Sequence, residues 1–240
     1  MSGDDGYLGD ELAALSLAMN YYRWVAEAFR PWVHGDGVEI GAGIGTFAAL
    51  LQDRLATLEL VEPSTHLIPP LTARFAHAPQ VRILHTDLEG YLQQRPAASL
   101  DAIILVNVLE HVEQDEAMVR ALVQTLRPGG SLLLFVPALP WLYNGVDRRY
   151  GHHRRYVKKA LVALAEESGL IVRQCRYVDL MGVLPWWLMR FRGDGPIFMP
   201  GMVRLYDRWF IPLTRWIEGF FSPPLGKSLL LIATRPDAGA

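Results

Sequence analysis

The chain has 240 residues, 51% hydrophobic and 20% charged, with a formal net charge of −2. These values fit one globular domain with a large core, and they exclude a disordered chain and a generally basic nucleic-acid binder. The single cysteine, Cys175, excludes an internal disulfide and a cysteine-based zinc site, and reads as a small core residue.

Residues 1–11 are polar and acidic, so no signal peptide is expected, and no charge-free apolar window is long enough for a spanning helix. A reducing cytoplasm is the expected setting. Residues 10–31 predict an amphipathic helix ending at Pro31, with Leu12, Leu15, Met19, Tyr22 and Ala26 at helical spacing. Tyr21 lies in its aromatic stripe, which also reads as core.

Val38 to Phe47 predicts a buried strand, a glycine turn and a helix over 46–54. Gly41, Gly43 and Gly45 let a ligand approach the backbone, and a helix starting near Gly45 would offer it free N–H groups and a positive dipole end. A dinucleotide loop reads G-x-G-x-x-G. Here the third glycine follows the second by two places and Glu39 precedes the first, an acid suited to an ammonium group and repulsive to a pyrophosphate. A glycine turn without any ligand is the plainer reading.

A second strand, 57–62, ends in Glu62, about 20 residues past the first glycine, where a carboxylate can accept ribose hydroxyls. Pro63 and Ser64 lead into a helix of 13 or so residues capped by Ser64. A third strand, 81–86, ends at Asp87 and Leu88, and Asp87 also suits a helix N-cap. The apolar run 100–106 predicts a central strand buried on both faces, ending in Asn107, Val108, Leu109, Glu110 and His111. A helix over 115–126 is followed by Arg127, Pro128, Gly129 and Gly130 as a stop and turn, then a strand over 131–136.

Three stretches together, E-x-G-x-G-x-G at 39–45, D-x-I-x-x-x-x-V-L-E-H-V at 101–112 and L-R-P-G-G-x-L-L-L at 126–134, resemble the class I S-adenosylmethionine-dependent methyltransferases over residues 36–137. The resemblance implies a doubly wound, Rossmann-like α/β sheet of order 3-2-1-4-5-7-6 with its last strand antiparallel. It implies S-adenosylmethionine as cofactor, held by Glu39, Gly41, Ala42, Gly43 and Gly45, with Glu62 and Pro63 at the ribose. Asp87 and Leu88 would meet the adenine, Asn107 and Val108 would lie under the sulfonium, and Tyr21 would cover the pocket. His111 would stand near the reaction centre as a base.

The loop 137–156 follows the fifth strand on the ligand side. It carries Tyr143, Asp147, His152, His153, Arg154, Arg155 and Tyr156 as candidate substrate-binding residues, because arginine grips carboxylates or phosphates with two prongs. A solvated basic loop is the plainer alternative. Its D-x-x-x-G-H-x-R-R-Y pattern resembles a loop in a bacterial subgroup of these enzymes. The adjacent His152 and His153 point in different directions, so no metal is expected.

A helix over 157–168, a strand over 170–178 and a last strand over 227–234 follow, separated by an insertion over 179–226. Trp186, Trp187, Trp209 and Trp216 there interleave with arginines at 190, 192, 204, 208 and 215. A helical hairpin turning at Gly193 to Pro196 is expected, as a lid over the acceptor. Extra core, a peripheral membrane contact and a homodimer contact remain open. The expectation is thus a single domain, 1–240, with 1–34 as an N-terminal helical cap. It would transfer a methyl group to a small, apolar or lipid-like acceptor and not to nucleic acid, in the cytoplasm or at a membrane. A nicotinamide-dependent oxidoreductase and a non-catalytic cofactor-binding regulatory module are the alternatives.

Overall fold

The computed structural model describes residues 17–191 and 199–237. Among these, seven strands form one sheet: β1 (Asp36–Ile40), β2 (Thr57–Val61), β3 (Val81–Leu84), β4 (Leu100–Val106), β5 (Leu126–Pro137), β6 (Ile171–Val178) and β7 (Ser228–Thr234). The order is β3-β2-β1-β4-β5-β7-β6. Neighbours from β3 to β5 run parallel, and β7 runs antiparallel to both β5 and β6, as expected.

The central strands read as continuous apolar runs because helices cover both faces. On one face, Ile103, Leu105, Leu132 and Leu134 pack with Val119 and Leu122 of α4 (Asp115–Thr125) and with Leu161 of α6 (Lys158–Glu167). On the other, Ala102, Ile104 and Leu133 pack with Trp24 and Phe29 of α1 (Met19–Phe29), with Phe47, and with Leu71 of α2 (Ile68–Arg74). The first part of the expected helix over 10–31, with Leu12 and Leu15, lies outside the described residues.

Three local expectations are corrected. Residues 46–54 form two 3₁₀ turns, Ala48–Leu50 and Gln52–Arg54, instead of an α-helix. At three residues per turn Ala48 and Leu51 eclipse, and both are buried. No helix macrodipole therefore begins at Gly45. Ser64 makes no side-chain cap; a 3₁₀ turn, Thr65–Leu67, precedes the seven-residue α2. Pro69 and Pro70 have no N–H to donate, so they fit only the first turn of α2. Arg127 to Gly130 are not a free turn but a bulge within β5, since the pairing jumps from Leu100↔Leu126 to Ala102↔Ser131.

The insertion builds α7 (Val183–Leu188), α8 (Pro200–Leu205), a π-helical turn at Tyr206–Phe210, and α9 (Ile211–Glu218). The turn expected at Gly193 to Pro196 lies outside the described residues. Asp207 ties this helical run to the domain. Its carboxylate accepts the Asn20 and Tyr21 amides at 3.0 and 2.9 Å, satisfying free N–H groups of the first turn of α1. Glu218 accepts the Leu180 amide at 2.8 Å. No helix among the described residues is long and apolar enough to cross a membrane.

Candidate active site

Open parallel sheets leave a crevice beyond the carboxyl ends of their strands, where the winding direction reverses. Here that point lies between β1 and β4, and it holds a cavity of about 400 Å³, within the range of small-molecule sites. The glycine loop forms one wall. The amides of Gly41 and Ala42 donate to Val61 O at 2.9 and 3.0 Å, and that of Gly43 donates to Glu62 Oε2 at 2.8 Å. These bonds draw the loop across β2 and hold Gly41 at φ +70° and Gly43 at φ +57°. L-residues rarely adopt these angles, and a Cβ on Gly41 would also stand 2.5 Å from Val108 Cγ2. Gly45 is left-handed as well, at φ +73°, and a Cβ there would run into Phe75 and Leu71.

Glu39, Gly41, Ala42, Gly43 and Asn107 line the cavity. Glu39 is buried, and among the described residues its Oε2 has no hydrogen-bond partner. Burial, helped by the charge of Glu62, pushes its pKa up to about 8. A buried carboxyl without a partner is costly, and a cationic ligand would relieve it. Asn107 is left-handed at φ 53°, with its amide donating to Phe135 O at 2.8 Å. Tyr21 lies opposite, its hydroxyl 3.1 Å from Ser228 Oγ and its ring edge-on to Phe135. Burial pushes its pKa up to about 12, against the pull of Lys227.

Other residues named from sequence stand back from this wall. Glu62 is buried behind the loop, its two oxygens accepting the amides of Gly43 and Ser64, each at 2.8 Å. Asp87 caps α3 (Leu88–Gln94) by accepting the Gly90 amide at 2.7 Å. Glu62, Pro63, Asp87, Leu88 and Val108 do not line the cavity.

At the other end His111, Tyr150, His152 and Arg155 face the cavity. Asp147 organises them from beneath, fully buried in α5 (Gly145–Arg149). It accepts the Asn144 amide at 3.0 Å, Arg155 Nε at 2.8 Å and His152 Nδ1 at 2.9 Å. Burial opposes its ionisation, but His152, Arg155 and the Asn144 amide outweigh that and hold its pKa below the usual carboxylate value. Arg155 also donates to Ala138 O at 3.0 Å and lies 4.6 Å from the Trp186 ring centroid. The His111 ring stands edge-on to that of His152 at 4.7 Å. Burial, and then His152 and His153, lower its pKa to about 4.

The rest of the loop braces it. Tyr143 donates to His152 O at 2.7 Å, and the His153 amide donates to Glu110 O at 2.8 Å. Arg154 and Tyr156 both bond to Asp115, each at 2.8 Å. Tyr143, Asp147, His153, Arg154 and Tyr156 do not line the cavity.

Sequence reasoning missed Glu110, Tyr150 and Lys227. Lys227 borders the cavity, 3.0 Å from Asp179 Oδ2 and 4.7 Å from the Tyr21 ring centroid. A lone cation opening an apolar strand was its visible signal. Trp186, Met189, Met202 and Tyr206 of the insertion close the remaining side.

A family model described as a methyltransferase domain matches residues 17–175. An uncharacterised methyltransferase of Mycobacterium tuberculosis is 30% identical over 109 residues, 45% of this chain and 54% of that protein. The chain thus spans about half the length of the curated relatives it matches. Among solved structures, a methyltransferase from Haloferax volcanii, in complex with a methyltransferase activator, aligns over 98% of this chain and 99% of its own. Its TM-score is 0.64 at 14% identity. Geranyl diphosphate methyltransferase in complex with S-adenosylmethionine aligns over 90% and 85%, with TM-score 0.63 at 15% identity. At these identities the likeness is one of fold.

Proposed function

The chain belongs to the methyltransferase-domain family, whose model covers residues 17–175, and on that premise we propose that it methylates a small, apolar or lipid-like acceptor using S-adenosylmethionine. The observation that carries this reading is one cavity with two unlike ends. At one end a buried carboxyl lacking a partner on Oε2, Glu39, adjoins two left-handed glycines. At the other stand two histidines and an arginine under an aromatic and methionine-rich cover.

The residues fit the cofactor. Glu39 would hold the amino-acid ammonium, Gly41 and Gly43 would let the ligand lie against the backbone, and Tyr21 would cover it. Glu62 would act on the cofactor through the glycine loop, whose Gly43 amide it holds. Gly45, Pro63, Asp87, Leu88 and Val108 would support the loops around it. When bound, S-adenosylmethionine supplies an electrophilic methyl group on a sulfonium.

This chain's own residues orient the acceptor and exclude water. Asp147 fixes His152 and Arg155, so little side-chain freedom is lost when the acceptor enters. Arg155 and Lys227 would hold an acceptor's anionic group. His111 is neutral at pH 7 and would accept a proton from an acceptor hydroxyl.

The acceptor class rests on the insertion, which we read as a lid within a single domain. Its inner side buries Asp207, Ile211, Thr214 and Glu218, while Met202, Leu205, Trp209, Leu213, Trp216 and Phe220 form an exposed stripe at helical spacing. Arg208 lies beside Trp209, a pairing favoured at membrane interfaces. A lipid-like acceptor could pass from a membrane surface beneath this lid. The test is incubation with methyl-labelled S-adenosylmethionine and a fractionated cell extract. Label entering the organic-soluble fraction supports the reading; label confined to water-soluble products contradicts the acceptor class.

A further inference from the structure

The acceptor end contains a buried carboxyl, Glu110, that neither the base role nor the anion-binding role uses. Glu110 is fully buried, yet among the described residues neither of its carboxylate oxygens has a hydrogen-bond partner. His152 Nε2 stands 3.9 Å from Glu110 Oε1. The ligand atoms of Glu110, His111 and His152 all lie within 4.8 Å of one another. From this geometry we infer that Glu110, His111 and His152 form a binding site for a divalent transition-metal cation.

The partners of these side chains fit that assignment. A metal-bound histidine usually gives its other ring nitrogen to a carboxylate or carbonyl, which fixes its tautomer. His152 gives Nδ1 to Asp147 at 2.9 Å, leaving Nε2 turned toward Glu110. Asp147 is held in turn by Arg155 and the Asn144 amide, so the imidazole is preset. Two imidazoles and one carboxylate suit zinc, iron or manganese better than calcium. Bonds of about 2.0–2.2 Å would draw the donors to roughly 3.5 Å apart, so binding closes the cluster by about 1 Å.

Both histidines face the cavity. A cation held by three protein ligands would keep an open coordination position there, as catalytic zinc sites do. This deepens the proposed function and rests on it for its role. The cation would take an acceptor oxygen and lower the pKa of a bound hydroxyl, whose proton passes to water. A His111 nitrogen that ligates a cation has no lone pair for a proton, so occupancy replaces the base role.

The test is titration of metal-stripped protein with Co²⁺, followed by ligand-field absorption, with Zn²⁺ as competitor. The expected result is saturation at one equivalent. Glu110→Gln, His111→Gln and His152→Gln should each weaken binding roughly 10- to 100-fold or more. His153→Gln, whose side chain lies outside the cluster, should bind as the wild type does. No Co²⁺ or Zn²⁺ binding by the wild type, or wild-type affinity in Glu110→Gln and His152→Gln, would overturn the site. Should a variant fail to fold, the paramagnetically shifted imidazole N–H resonances of wild-type cobalt protein count the histidine ligands. Two support the site, and any other number contradicts it. Calorimetry of S-adenosylmethionine with the metal-free protein keeps the two failures apart: cofactor binding without cobalt binding overturns only the metal site, and the reverse overturns only the cofactor reading.

Discussion

Glu62 holds the Gly43 amide at 2.8 Å through one carboxylate oxygen and the Ser64 amide at the same distance through the other. One buried side chain at the end of β2 therefore fixes the glycine loop at the end of β1. Hydrogen bonds to a charged group contribute about 1.5–3 kcal/mol each. Glu62→Ala loses both bonds and should therefore lower stability by roughly 3–6 kcal/mol and weaken S-adenosylmethionine at least tenfold. Urea unfolding and calorimetry read the two effects. Unchanged stability would show that the loop stands without this brace.

Glu39 makes the cofactor step pH-dependent. Its folded pKa, raised to about 8, exceeds its unfolded value. Its contribution to stability is therefore fully present below the unfolded pKa of about 4.5 and is lost as pH rises toward 8. An ammonium ligand reverses the preference and favours the carboxylate. At pH 7 binding should release a proton from this group, and apparent affinity should rise toward pH 8. Calorimetry in buffers of different ionisation enthalpy measures the release, and Glu39→Gln should abolish it. Proton release unaltered in that variant would place the titrating group elsewhere.

Asp147 and Arg155 form a buried ion pair at 2.8 Å. Removing one partner of such a pair costs about 3–5 kcal/mol, so Arg155→Met should lower the melting temperature markedly. The folded pKa of Asp147 lies below its ordinary value of 3.8. Its contribution is therefore present above about pH 4 and lost as pH falls through the folded pKa. Acid unfolding curves of wild type and variant should converge below that point. A constant gap down to the lowest pH would contradict the linkage.

His111→Ala should lower turnover by about 10²- to 10⁴-fold while cofactor affinity stays within a few-fold. Steady-state kinetics on the identified acceptor, beside calorimetry, separates the two. Loss of affinity with normal turnover would move His111 to the cofactor end.

The exposed stripe from Met202 to Phe220 predicts binding to anionic vesicles. Trp209→Ser with Trp216→Ser should reduce flotation severalfold and leave S-adenosylmethionine binding intact. Equal flotation of wild type and variant would remove the membrane contact.

The sheet was legible because its strands carry the period expected of doubly covered parallel strands, and because Glu39 to Gly45 and Asn107 to His111 mark strand ends. The helix at Gly45 was misread because a 3₁₀ pair and an α-helix both bury Phe47, Ala48 and Leu51. Glu62 was legible as an acid at a strand end, but not as the support of Gly43, since that bond joins residues 19 apart in sequence. The pairing of His152 with His111 and Glu110 depends on how 137–156 folds back, which side-chain spacing does not encode. The neighbouring His153 instead uses its backbone amide to hold the loop.

The decisive measurement is calorimetric titration of S-adenosylmethionine, with NADH as the comparison ligand, into wild type and Gly43→Val. A branched residue at Gly43 must adopt φ +57° and projects into open space beside the loop. Wild type should bind S-adenosylmethionine and not NADH, and a folded Gly43→Val should bind the cofactor at least tenfold more weakly. Equal affinity in the two proteins, or a preference for NADH, would contradict the cofactor reading.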